Sequence, residues 1–120
     1  MRPHAFRPRE RLKKSREFLT VLRKGVRKET PHFKCVLLAN NLNWCRLGLT
    51  VGRKIGNAVT RNRIKRLLRE YFRRNKTDFP ESTDIVISAK IGAARLDYTA
   101  LNQELNTVLK HVTMQRSDRN

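Results

Sequence analysis

Apolar residues recur along this chain with two different spacings, and the spacing changes from one segment to the next. Between residues 44 and 51 they occupy every second position, which is the period of a strand with one buried face. Between residues 58 and 74 they recur every three or four positions, which is the period of an amphipathic helix. The chain therefore combines strands and helices, and their order can be followed along the sequence.

The rest of the chain is also predicted to contain both helices and strands. A short helix is predicted with Ser15 as its N-cap, and it ends at Gly25. Strands are predicted at 33–39 and 84–89, and a further short strand is expected near 26–30. A last helix is predicted from apolar residues at helical spacing, which are Leu101, Leu105, Val108, Leu109 and Val112.

The predicted order is helix, strands, helix, strand and helix, which is typical of an α/β domain whose helices cover one sheet. The chain has 120 residues, the usual length of one domain, so a single domain is expected over 1–120. Within it, residues 1–14 have the composition of a basic, weakly ordered arm, and residues 115–120 that of a frayed tail.

The net charge changes this picture, because it indicates a polyanionic partner. Lys and Arg total 28 against 10 acidic residues, which gives a net charge of +18 and a pI near 11.4. This much like charge destabilises a compact state until a polyanion offsets it, and nucleic acid is the usual polyanion. An anionic membrane is the other candidate, but the sequence has no apolar run of about 18 residues and no signal-peptide segment.

The helix predicted from Ala58 to Arg74 concentrates this charge on one side. With Ile64 at 0°, the apolar side chains lie within roughly 80° of it, and a polar strip lies between about 140° and 200°. Residues 53–76 hold ten Lys or Arg and one acid, Glu70, whereas a solvated helix normally mixes both signs. The strip is therefore predicted to bind phosphates, and its members and flanks are Asn62, Arg63, Lys65, Arg66, Arg69 and Arg73.

The loop before this helix strengthens that prediction. It runs from a strand through two glycines into a helix N-terminus, where free N–H groups and the helix dipole favour anions. Arg53 and Lys54 add positive charge to the loop. An alternative is that Asn57 and Thr60 in this loop simply cap the helix.

No catalytic constellation stands beside this basic surface. The acidic residues are scattered, without the clustered carboxylates that hold metal ions in nucleases, and the three histidines are isolated. Cys35 and Cys45 are ten residues apart and are interpreted as buried hydrophobes in a reducing cytoplasm, not as metal ligands. A self-sufficient nuclease is therefore disfavoured, and any chemistry is expected to lie in another molecule.

The segment KIGNAVTRNRIKRLLREYFR at 54–73 resembles the signature of the bacterial ribonuclease P protein family, with the RNR motif at 61–63. The segments at 11–25, 46–54 and 84–90 are similar to the family's first helix and to the strands before and after the motif. The resemblance implies an α/β (α+β) two-layer sandwich of about four strands and three helices, like the second domain of ribosomal protein S5. It also implies a left-handed βαβ crossover, against the usual right-handed rule.

The resemblance implies the activity of an accessory protein subunit of ribonuclease P, an endoribonuclease and hydrolase of tRNA processing. In this family the RNA subunit removes the 5′ leader of precursor tRNA with Mg²⁺, and the protein binds that RNA and the leader without a cofactor of its own. The implied partners are the ribonuclease P RNA and the precursor tRNA in the cytoplasm, with no membrane and no obligate protein partner. The alternative is a ribosomal or ribosome-assembly RNA-binding protein.

The resemblance also implies roles for individual residues, none of them catalytic. A cleft between the first helix and the sheet accepts the leader, and Phe18 matches its aromatic position. Leu22 and Val36 stand where some relatives have aromatic residues, so only apolar contact is expected there. Trp44 is left open between packing and RNA contact. A basic surface is expected to face the catalytic RNA. It begins at the basic loop and ends at Arg73, and its residues are Arg53, Lys54, Arg61, Asn62, Arg63, Lys65, Arg66, Arg69 and Arg73.

Overall fold

A mixed four-stranded sheet in the order β1-β2-β4-β3 forms the centre of the fold. The computed structural model describes residues 6–110, so the predicted helical residue Val112 and the predicted tail at 115–120 lie outside the described residues. The strands are β1 (Val26–Glu29), β2 (Phe33–Ala39), β3 (Arg46–Thr50) and β4 (Thr83–Ala89), and the α-helices are α1 (Ser15–Lys24), α2 (Ala58–Asn75) and α3 (Tyr98–Leu109).

The strand directions follow from the connections between them. β1 pairs with β2, and β2 with β4, in antiparallel register, whereas β3 and β4 are parallel. α2 connects β3 to β4, because parallel neighbours need a crossover and cannot be joined by a hairpin. The predicted sheet of four strands with three helices is confirmed, and β3, α2 and β4 form its crossover unit.

Alternate side chains of each strand point to opposite faces of the sheet, and the helices divide between these faces. One face packs against α2 and α3 in the larger core, where Leu37, Ile85 and Ile87 are at most 1% exposed. The other face packs against α1 in a smaller cluster that contains Val36 and Val86. The expected two layers describe the larger core, and α1 adds a layer on the second face.

The apolar face of α2 lies where the helical period predicts it. Ile64, Leu68, Tyr71 and Phe72 are each at most 1% exposed. Burial of side chains of this size contributes roughly 2 kcal/mol each to folding. The buried hydroxyl of Tyr71 also donates a hydrogen bond of 2.9 Å to Oδ1 of Asn106 on α3. This face fixes α2 on the sheet, so its opposite side is held facing outward.

The ends of α1 show one correct and one wrong prediction. The helix ends at Gly25, where an added Cβ would lie 2.6 Å from Cγ1 of Val36, so the sheet can approach the helix end only at a glycine. The N-cap is Lys14 and not Ser15, because Ser15 already has helical geometry. The Lys14 backbone N–H is capped by Oε1 of Glu17 at 3.4 Å.

The N-terminal segment is more ordered than its composition predicts. Leu12 is 6% exposed, and its backbone N–H donates to the carbonyl of Leu47 on β3 at 2.9 Å. Glu10 is buried and forms an ion pair of 2.7 Å with Lys76. The prediction of a weakly ordered arm is therefore wrong for residues 6–14. The residues that contact this segment lie far along the chain, so the local composition of the segment carries no information about these contacts.

Both cysteines are buried and unpaired, as their isolated positions predict. Cys35 lies in the larger core, and Cys45 lies at its edge. Burial raises the pKa of Cys35 to about 12 and that of Cys45 to about 11, because the apolar surroundings disfavour the thiolate. Both thiols therefore stay protonated near neutral pH and pack as small hydrophobes.

Candidate nucleic-acid interface

The outward side of α2 presents a strip of cations that have no acidic partner among residues 6–110. Asn62, Arg66 and Arg69 are exposed, and Lys65 is half-buried beside them. Among the described residues, no carboxylate forms an ion pair with Lys65, Arg66 or Arg69. These three cations and the amide of Asn62, called the free strip below, are available to an external anion.

Two arginines of the predicted motif are bound to backbone carbonyls of this chain. Arg63 donates from Nη1 to the Ala94 carbonyl at 3.2 Å and from Nη2 to the Leu96 carbonyl at 2.8 Å. Arg61 donates from Nε to the Gly56 carbonyl at 3.1 Å. Arg63 thereby fastens α2 to the turn before α3, and Arg61 fastens it to the preceding loop. Sequence periodicity places Arg63 beside the strip and Arg61 nearer the apolar face, at about 60° from Ile64, but it does not reveal these bonds.

Arg73, predicted at the end of the strip, is paired with the single acid of this helix. Glu70 accepts from Arg73 Nε at 3.0 Å and Nη2 at 2.5 Å, and from Arg74 Nε at 2.6 Å. The hydrogen bond from Arg73, followed by that from Arg74, holds the pKa of the Glu70 carboxyl below its usual value. Glu70 therefore partly neutralises the last turn of α2, and the free strip ends at Arg69.

The basic loop leads into α2 as a short 3-10 helix at Arg53–Ile55. Arg53 and Lys54 are both exposed, as expected of residues that meet a polyanion. The N-terminus of α2 itself is capped, because Asn57 Oδ1 accepts a hydrogen bond of 2.9 Å from the Thr60 backbone N–H. The capping alternative for Asn57 is therefore confirmed, and the loop cations remain available beside it.

An open pocket with a volume of about 610 Å³ lies next to this loop, at the carboxyl ends of the parallel strands β3 and β4. The sequence patterns did not single out three polar residues on its lining, Thr50, Ser88 and Lys90. Lys90 is held there by Nζ donation to Glu29 Oε1 at 2.7 Å and to the Thr30 carbonyl at 2.9 Å. Only the pairing of β3 with β4 brings these residues together.

The three residues expected to line a leader cleft are not equivalent in the structure. Phe18 and Leu22 on α1 are half-buried, so part of each side chain is accessible. Phe18 packs closely over Gly48, where an added Cβ would lie 2.7 Å from the ring. Val36 is 1% exposed beneath α1, so the prediction that it lines an open cleft is wrong. The helix covers this position because Gly25 allows it to approach β2.

The remaining aromatic residues pack within the domain. Phe33 is fully buried in the larger core. Trp44, left open by the sequence, donates from Nε1 to the Arg9 carbonyl at 2.9 Å, and the Arg9 guanidinium lies 4.4 Å from the Trp44 ring centroid. This residue therefore fastens the N-terminal segment to the start of β3.

Phe18 and the free strip meet in one pocket of about 240 Å³. Its lining also includes Phe6, Arg11 and Lys13 from the N-terminal segment. These three residues were missed because the segment was expected to be weakly ordered. The pocket brings together aromatic rings and cations that lie up to 63 residues apart, from Phe6 to Arg69.

Within residues 6–110, no group of three or more His, Cys, Asp or Glu side chains is placed to hold a metal ion. In the same range, no helix is both long and apolar enough to cross a bilayer. The arrangement therefore offers rigid, uncompensated cations beside aromatic rings, which is the chemistry of nucleic-acid recognition. The fold and this surface define an RNA-binding α/β domain.

Comparison with known proteins identifies the family. The family model described as Ribonuclease P matches residues 6–113. The ribonuclease P protein component of Syntrophus aciditrophicus is 49% identical over 100 residues, which cover 83% of this chain and 84% of that protein. The solved structure of the RNase P protein from Thermotoga maritima is similar with a TM-score of 0.80 and 34% identity, covering 88% of this chain and 99% of that one.

A second solved structure, the RNase P protein from Staphylococcus aureus, is similar with a TM-score of 0.76 and 33% identity, covering 82% of this chain and 91% of that one. The chain belongs to the ribonuclease P protein family. It is thus an accessory protein subunit of an endoribonuclease that processes the 5′ ends of tRNA, and the ribonuclease P RNA is its partner.

Proposed function

We propose that the free strip of α2 is the docking surface for the ribonuclease P RNA. The single observation that carries this proposal is the set of three cations, Lys65, Arg66 and Arg69, without a described acidic partner on a rigid helix. An RNA backbone supplies the missing negative charge, and its counterions are released on binding. Asn62 adds an amide that can hydrogen-bond to sugar or base edges.

The 5′ leader of precursor tRNA is the second ligand of this proposal. Single-stranded RNA binds to basic grooves that also carry rings on which bases can stack. The half-exposed Phe18 and Leu22 offer apolar contact, and Arg53 and Lys54 offer charge beside the concave end of the sheet. The leader then runs between α1 and the basic loop, without contact to the buried Val36.

The hydrolysis itself is assigned to the RNA subunit with Mg²⁺. The contribution of this chain is electrostatic, because its cations neutralise phosphates where the RNA and the leader approach each other. Fewer magnesium ions are then needed to hold the two RNAs together. The assembly is proposed to act in the cytoplasm, with its RNA partners.

Reconstitution tests this proposal directly. The protein is mixed with bacterial ribonuclease P RNA and precursor tRNA, and leader removal is measured as Mg²⁺ is lowered. We expect the protein to stimulate cleavage most at the lowest Mg²⁺, and to increase affinity for precursor tRNA over mature tRNA, which has no leader. Absence of stimulation would overturn the proposal, and cleavage by the protein without the RNA subunit would assign the chemistry to this chain instead.

A further inference from the structure

An open pocket of about 150 Å³ lies beside the start of α1, and its lining is entirely polar or charged. Glu17 from α1, Arg46 from β3 and Asp84 from β4 are among the residues that line it. Apolar packing therefore does not fill this part of the contact between the helix and the sheet. The connection between them is made here by charged groups.

Arg46 is held on the sheet by the buried carboxylate of Asp84. Nε of Arg46 donates to Oδ1 at 2.9 Å and Nη2 donates to Oδ2 at 2.8 Å, which is the paired geometry that suits a guanidinium and a carboxylate. Asp84 is 5% exposed, and Nδ2 of Asn40 donates a further hydrogen bond of 2.7 Å to its Oδ1. The guanidinium is therefore fixed between β3 and β4, where Arg46 and Asp84 are neighbours in the parallel register.

Glu17 accepts a third hydrogen bond from this guanidinium and thereby ties α1 to the sheet. Its Oε2 accepts from Nη1 of Arg46 at 3.0 Å, and its Oε1 accepts from the Lys14 backbone N–H at 3.4 Å. Burial raises the pKa of the Glu17 carboxyl, but the hydrogen bonds from Arg46 and from the Lys14 backbone outweigh burial and hold this pKa below its usual value. Glu17 is therefore ionised near neutral pH, as the ion pair requires.

The two ends of α1 are thus held in different ways. At the C-terminal end, Val21 is 1% exposed and Gly25 lies directly against β2. Near the N-terminal end, Glu17 binds Arg46, and the next residue along the helix is Phe18. Without the ion pair the start of the helix can shift about its packed end, and Phe18 shifts with it. A small displacement of a contact residue is enough to weaken the binding of a ligand.

We propose that Glu17 is a positioning residue for the 5′ leader: through Arg46 it holds α1 at the distance from the sheet at which Phe18 and Leu22 contact the leader. The inference rests on the proposed leader site between α1 and the basic loop, and it assigns no RNA contact to Glu17 itself. The network joins α1, β3 and β4 without α2, so docking of the RNA subunit on the free strip does not depend on it.

Glu17→Ala and Glu17→Gln test the proposal, because both remove one negative charge and only glutamine keeps an oxygen that accepts from Arg46. Holoenzyme is assembled with each variant, and its affinities for precursor tRNA and for mature tRNA are measured. We expect Glu17→Ala to reduce the preference for precursor over mature tRNA roughly fivefold, because a displaced aromatic ring loses part of its stacking on the leader. Glu17→Gln is expected to keep most of the preference.

Glu81→Ala is the control for charge. Glu81 is exposed and forms no ion pair with a described residue, so its removal changes the net charge by the same amount without altering α1. Affinity for the RNA subunit, affinity for mature tRNA and the cleavage rate at saturating precursor should be the same in Glu17→Ala as in Glu81→Ala. Thermal melting verifies that all three variants are folded.

The possible results separate Glu17 from the leader site as a whole. Equal preferences for precursor tRNA in Glu17→Ala and Glu17→Gln would overturn the proposal, because the contact with Arg46 is what distinguishes these variants. A matching loss of affinity for mature tRNA or for the RNA subunit would also overturn it, by revealing a general structural defect. A wild-type holoenzyme without preference for precursor tRNA would reject the leader site itself and this inference with it. A wild-type preference that Glu17→Ala retains in full would reject the role of Glu17 alone.

Discussion

The arginines of α2 form two groups that look alike in the sequence and differ in the structure. Those in the middle of the helix, Arg66 and Arg69, are exposed and have no ion pair with a described residue. Those toward its ends are bound within the chain, and they are Arg61, Arg63, Arg73 and Arg74. Arg61 and Arg63 fasten the start of the helix to its surroundings, Arg73 and Arg74 pair with Glu70 of the same helix, and the middle group is left for an external anion.

This difference shows that the number of basic residues on a helix does not give the number that are available to bind an anion. Hydrogen bonds from a guanidinium to two carbonyls hold a protein element in place, as at Arg63. Unpaired cations on the same helix repel each other, and an anionic ligand relieves this repulsion. The same residue type is therefore bound within the chain at the helix ends and left without a described acidic partner in its middle, where RNA docking is proposed.

Removal of both middle arginines should have the largest effect on binding. Arg66→Ala combined with Arg69→Ala is expected to weaken affinity for the ribonuclease P RNA roughly 50-fold at about 0.1 M salt and to reduce the salt slope by up to about two units. The matched control removes the same charge from exposed residues of α1, as Arg23→Ala with Lys24→Ala. Filter binding over a salt series measures both quantities, and equal slopes for the two double variants would contradict the comparison.

Arg63→Ala should instead lower stability. Its loss leaves the carbonyls of Ala94 and Leu96 without their charged donor, at an expected cost of about 2 kcal/mol in the free energy of unfolding. Arg66→Ala, on the same helix, is expected to change that free energy by less than about 0.5 kcal/mol. Urea unfolding without RNA measures both. The division into two groups is wrong if the two variants are equally stable.

Glu70→Gln should leave Arg73 and Arg74 without an acidic partner, like the arginines in the middle of the helix. Without the carboxylate, Arg73 and Arg74 lose their shared partner and become available to RNA, so affinity is expected to rise a few-fold with a salt slope steeper by up to about one unit. Weaker binding would show that Glu70 instead orients these arginines for RNA.

The same ion pairs depend on pH. Because the pKa of Glu70 is lowered in the folded protein, the ion pairs are intact above the ordinary carboxyl pKa and are lost only as pH falls through the folded value.

Anion binding without RNA should give the smallest effect. Replacing chloride by sulfate at constant ionic strength is expected to raise Tm by several degrees, because sulfate relieves repulsion among the unpaired cations. The rise should shrink in the Arg66→Ala, Arg69→Ala double variant and persist in the α1 control. Identical melting curves in both salts would show that the unpaired cations do not destabilise the free protein.

The helical period was sufficient to predict which side of α2 is buried, because Ile64, Leu68 and Tyr71 report on one repeating contact with the sheet. It could not separate Arg63 from Arg66, because the carbonyls that bind Arg63 lie more than 30 residues away along the chain. The burial of Val36 was missed for a similar reason, since it depends on how closely α1 approaches β2. Contacts between distant segments are fixed by packing, which periodicity alone does not describe.

The N-terminal side of the pocket was the least predictable part of the surface. Proline and charge at the start of the chain are typical of a flexible arm, yet Leu12 and Glu10 bind partners on β3 and after α2. Only Phe18 and the strip residues could be named in advance, from the resemblance and from the helical period. The segment that joins them became visible in the structure alone.

The backbone contact between Leu12 and Leu47 also closes part of a sheet edge. Outer strands expose N–H and C=O groups on which another chain can pair and start aggregation. β3 is one outer strand, and the N-terminal segment occupies part of its edge. The other, β1, is four residues long and carries Arg27 and Lys28. Both edges are thus poor templates for a further strand, which opposes self-association of the chain before it meets its RNA.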